Sequence, residues 1–163
     1  MIVSEAWERT HRRQDCVTEV LAAVSRGGPV AVRGYTERIV RDFGSMEAFL
    51  CDLQRRWFTA FDARLDAVLE GLPGDPLREL VTLSRELEGA LPHVAAVLDA
   101  YAGHPALKAG EMRHAHALLQ ATGIEYHLVV AERSRIPRPR RGGGKTRARR
   151  RAFLVVPPTE NGT

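Results

Sequence analysis

The residues with the clearest chemical purpose lie near the end of the chain. From Arg133 to Arg151 the sequence reads RSRIPRPRRGGGKTRARRR, with ten positive charges and no acid. Residues 1–132 have the opposite sign: 14 Lys+Arg stand against 19 Asp+Glu, a net of −5. Residues 133–163 hold 10 Lys+Arg and one acid, Glu160, a net of +9. Such a split marks an acidic body with a basic arm for a polyanion. Guanidinium forks match phosphate oxygens, and each phosphate neutralised releases condensed counterions. Pro137 and Pro139 favour an extended approach, and Gly142, Gly143 and Gly144 let a backbone come close. No aromatic residue occurs from Arg133 to Ala152, which argues against base stacking as the arm's main device. The candidate nucleic-acid contacts are Arg138, Arg140, Arg141, Lys145, Arg147, Arg149, Arg150 and Arg151. DNA and RNA fit equally. A solubilising tail, a clamp on the acidic body or a contact with an acidic protein would use the same charges.

Other chemistry-bearing residues form weaker patterns. Gly143-Gly144-Lys145-Thr146 matches the end of a phosphate-binding loop, but Pro139 stands where that loop needs its first glycine. Glu111-x-x-His114 is half of a di-iron carboxylate pattern, and no second Glu-x-x-His occurs. His114 and His116 diverge on a helix, so both read as surface or interface histidines and no metal is expected. Asp62, Asp66 and Glu70 recur every four residues, which reads as a solvated acidic stripe able to receive an Arg arm. No Ser/His/Asp or Cys/His set has local support, and the chain reads as non-enzymatic, without a cofactor.

The elements that position these groups are mainly helical. Ser4 can cap a helix running to about Arg26, with Val3, Gln14, Val17, Leu21 and Val24 near one face and Trp7 and Val20 widening it. Val30-Ala31-Val32 could be extended, and Thr36 can cap a short helix ending at Gly44. The segment from Ser45 to Glu70 is the clearest element. Met46, Leu50, Leu53, Trp57, Phe61, Leu65 and Val68 step by three or four, with Phe49, Phe58 and Leu69 alongside. Three further helices follow: from Asp75-Pro76 to Gly89, from Leu91-Pro92 to Gly103, and from His104-Pro105 to Gly123. The last carries Leu107, Met112, Ala115, Leu118 and Leu119 as apolar positions. The expected fold is a mainly α bundle of five to six helices over 1–123, with a C-terminal basic arm over 124–163.

Ile124–Ala131 and Phe153–Val156 have strand character. Two arrangements fit the arm: a β-hairpin over 127–156, or a disordered tail. The N-terminus lacks the apolar stretch of a signal peptide and no run is long enough to span a bilayer, so a cytoplasmic protein is expected. Cys16 and Cys51, outside any CxxC pair, read as reduced core residues. Of 24 basic residues only Lys108 and Lys145 are lysine, a bias that a GC-rich bacterial genome would also give.

Phe43-Gly-Ser-Met-Glu-Ala-Phe-Leu50, leading into a long helix that ends ARLDAVLE, resembles TetR-type transcriptional regulators. The likeness covers about residues 15–105. Only Pro29–Asp42 precedes the motif after the first helix, too short for a complete helix-turn-helix, and Met46 stands in place of the usual Lys. The resemblance therefore implies a dimerising or ligand-binding helical body, with Trp57, Phe58 and Phe61 as pocket residues. A bundle that binds only protein remains a third reading.

Overall fold

The computed structural model describes residues 5–71 and 74–135. Among these the elements are α1 (Glu5–Gly27), a 3-10 turn (Pro29–Tyr35), α2 (Thr36–Phe43), α3 (Met46–Glu70), α4 (Pro76–Ala90), α5 (Pro92–Ala100), α6 (Pro105–Thr122) and α7 (Tyr126–Arg135). No strand occurs among the described residues. No described helix is long and apolar enough to cross a membrane.

The helix boundaries follow from local chemistry. Ser45 Oγ accepts from the Ala48 amide at 3.1 Å and caps α3. Asp75 caps α4 by accepting from the Arg78 amide at 3.1 Å, with Pro76 at the first helical position. His104 Nδ1 accepts from the Ala106 amide at 3.3 Å and starts α6. Gly44 (φ 90°) and Gly123 (φ 73°) close α2 and α6 in the left-handed region, where a Cβ would be strained.

α3 is the central beam. It packs against α2, α4, α5 and α6. Its buried residues are Phe49, Leu50, Leu53, Gln54, Trp57, Phe61 and Leu65, one stripe at steps of three and four. Full burial of each large apolar side chain contributes about 1.5–3 kcal/mol. α1 buries Cys16, Val17, Val20, Ala23 and Val24, whereas residues 5–15 are all exposed. Trp7 thus lies off the face expected of it, and Gln14 is exposed along with the rest of the polar front half of the helix. A partly exposed ionic clamp built around the Asp42 carboxylate joins α2 to α1. Asp42, its side chain only 2% exposed, accepts from Arg38 Nε at 2.6 Å and Arg41 Nε at 3.2 Å, while Arg38 reaches Glu19 at 3.2 Å. Burial alone would raise the Asp42 pKa. The two guanidinium hydrogen bonds outweigh it and hold the carboxyl below its ordinary value.

Four expectations are corrected. Val30-Ala31-Val32 belongs to the 3-10 turn, where Pro29 at the start and a buried Val32 favour a tight coil over an extended run. Cys51 is exposed while Cys16 is buried; position 51 falls beside, not on, the α3 core stripe. Met112 is 72% exposed and Leu119 38%, because α6 turns Leu107, His114 and Leu118 inward instead. Ile124–Ala131 is no strand, since α7 takes in residues 126–135. Tyr126, Val129, Val130 and Arg133 face the body at helical spacing, whereas strand alternation would have buried Leu128, which is exposed. Packing on α4 and α6 overrides the β propensity of Tyr, Val and Val. The helical body therefore continues through Arg135. The rest of the expected hairpin and the arm residues from 136 onward lie outside the described residues.

Candidate functional site

On α3, Gln54, Trp57, Phe58, Phe61 and Asp62 follow one another at helical spacing and meet α6 and α7. The approach of α6 is closest at Gly110. A Cβ there would run into the side-chain amide of Gln54, which is buried and donates from Nε2 to Leu107 O at 2.9 Å. Glycine thus lets the two helices close around a buried polar side chain.

One helical turn further on, His114 enters an aromatic box. It stacks on Phe58 at 4.0 Å between ring centroids, with an interplanar angle of 12°. Phe61 and Tyr126 meet it edge-on at 5.0 and 5.2 Å. Nδ1 lies 3.5 Å from Asp62 Oδ1, and Nε2 is buried without a hydrogen-bond partner among the described residues. Burial lowers the His114 pKa, with Asp62 opposing, so the ring is held neutral near pH 7. The surface or interface role expected of His114 is therefore corrected. Leu107, His114 and Leu118 share one face at spacings of seven and four, and that register was the available signal. Asp62, Asp66 and Glu70 are exposed, as a solvated stripe would be.

Two hollows flank Phe58 and Gln54. An open cleft of about 670 Å³ runs between α3 and α6, bordered by Arg55, Asp62, Arg113 and His114, with Arg13 of α1 at one end. A smaller cavity of about 280 Å³ lies among α3, α5, α6 and α7, bordered by Trp57, Phe58, Leu107 and Tyr126. Of the three pocket residues implied by the resemblance, Trp57 and Phe58 thus border a cavity. Phe61, 1% exposed, borders neither hollow and is core. Among the described residues no group of three or more His, Cys, Asp or Glu is placed to hold a metal ion.

The basic run begins inside the body. Arg133, on the last turns of α7, is half-buried and reaches Glu88 of α4 at 3.1 Å. Its carbonyl accepts from Arg85 Nη2 at 3.1 Å. Arg135 pairs with Glu132 of its own helix at 3.1 Å. Arg138, Arg140, Arg141, Lys145, Arg147, Arg149, Arg150 and Arg151 lie outside the described residues. Comparison with known proteins finds no family model, no curated protein and no solved structure that matches the chain.

Proposed function

We propose that this protein binds nucleic acid through the phosphate backbone, using the basic segment that follows α7, and that the helical body serves as its scaffold. One observation carries the reading: ten cationic and no acidic side chains between Arg133 and Arg151, on a chain whose remaining N-terminal part is net −5. α7, which precedes this segment in the chain, packs on α4 and α6 as part of the helical body. Arg133 serves the body through Glu88, so the phosphate-binding set is counted from Arg138 onward. Guanidinium–phosphate contact supplies affinity with little sequence preference, since phosphates position a protein and base edges specify it.

The test is a salt titration of duplex DNA and RNA binding by the full chain and by a chain lacking residues 136–151. Each duplex DNA phosphate neutralised adds about 0.9 to the slope of log affinity against log salt. The full chain is expected to show a steep slope and the shortened chain a nearly flat one. Equal affinity and equal slope for both would rule the segment out. Loss of an acidic protein's binding with no effect on nucleic acid would favour a protein partner instead.

A further inference from the structure

The cavity among α3, α5, α6 and α7 has walls of unequal chemistry. Trp57 and Phe58 from α3, Leu107 from α6, and Tyr126 and Val130 from α7 make it mostly apolar. Its ionisable neighbours are Asp99, Glu111 and Arg133. Arg133 already meets Glu88, which does not line the cavity, at 3.1 Å, though its charge still reaches Tyr126. Glu111 is half-buried and has neither a hydrogen bond nor an ion pair among the described residues. Burial raises its pKa, and Lys108 offsets this only in part. Tyr126 keeps its phenol proton, because burial raises its pKa too.

We propose that this cavity is a binding site for a small organic cation, an amine bearing an aromatic or short aliphatic group. Glu111 receives the ammonium, and Trp57, Phe58 and Tyr126 surround the apolar part. A carboxylate ligand would meet two acids and one guanidinium that is already taken. A neutral ligand would cover Glu111 without compensating it, which a buried charge does not tolerate cheaply. An amine satisfies the acid and draws on the negative faces of desolvated rings. The volume suits a single-ring amine rather than a large ligand.

The chain has two tryptophans, so in a Trp7→Phe background the indole fluorescence belongs to Trp57 alone. That protein is titrated with phenethylamine, phenethyl alcohol and hydrocinnamate, which share a shape and differ in charge. Phenethylamine is expected to give a saturable signal, the alcohol to bind about tenfold more weakly, and hydrocinnamate to give none. Glu111→Gln should cost the amine about tenfold and leave the alcohol unchanged. Ala95→Leu, which fills the cavity from α5, should abolish the response with the helical circular dichroism retained. Amine affinity should rise with pH as Glu111 ionises. Equal binding of amine and alcohol, tighter binding of hydrocinnamate, or no Trp57 response at millimolar ligand would each overturn the proposal. The parent's three-ligand ranking decides the matter even if a variant fails to fold.

Discussion

At the scale of single residues, the interior carries two opposite ionic solutions. Asp42 is buried with two guanidinium hydrogen bonds, and its carboxyl is held below the ordinary range. A depressed folded value gives stability that is present above the unfolded pKa and is lost as pH falls through the folded one. Asp42→Ala should therefore cost about 1.5–3 kcal/mol near neutral pH, measured by urea denaturation, and should lose that cost in strong acid. His114 differs in the charge state it buries, not in the sign of its linkage. It is buried neutral among Phe58, Phe61 and Tyr126, facing Asp62, and burial lowers its pKa. Below about pH 6.5 the unfolded chain binds a proton that the folded chain resists, so stability falls with pH until the lower folded value is reached. His114→Phe should flatten the profile of stability in that window. An unchanged slope would place the titration elsewhere.

At the scale of elements, the contact of α3 with α6 depends on one missing methyl group. Gly110→Ala gains helix propensity, but its Cβ displaces Gln54 from Leu107 O. We expect a net loss of about 1–2 kcal/mol, with Gln54→Ala relieving most of it in the double variant. Docking of α7 rests on Val129, which is 1% exposed, and on the Arg133–Glu88 pair. Val129→Ala should cost about 1–2 kcal/mol and speed amide exchange in α7 before the rest of the body. The same elements show what the sequence made legible. The α3 stripe, its Ser45 cap and the Asp75-Pro76 and His104-Pro105 starts could all be read, because caps and periodicity are local signals. The identity of α7 could not. Tyr126, Val129 and Val130 favour strand locally, and only the neighbouring α4 and α6 decide otherwise. His114 was missed for the same reason: a polar side chain on an apolar face is placed by its partners, Phe58 and Tyr126, which come from two other helices.

At the scale of the molecule, sign is segregated along the chain. Through residue 132 the chain mixes 14 Lys+Arg with 19 Asp+Glu, whereas eight cations and a single acid follow α7. On the proposed function, such a charge split would draw a polyanion to the basic segment while the net −5 of residues 1–132 repels it, an effect that weakens with salt. The cavity beside Trp57 is lined in part by α7, the helix that precedes the proposed phosphate-binding segment in sequence. The two proposed sites are distinguished by charge, since one takes phosphates and the other a small cation. The most direct measurement compares the salt slope of duplex DNA binding for the full chain with that of Arg149→Gln/Arg150→Gln/Arg151→Gln and of Arg133→Gln. With all three substituted arginines on phosphates, the slope should shrink by about 2.7 in the triple variant. Arg133→Gln should lower stability through Glu88 and leave the slope unchanged. A triple variant whose slope equals that of the parent would contradict the account.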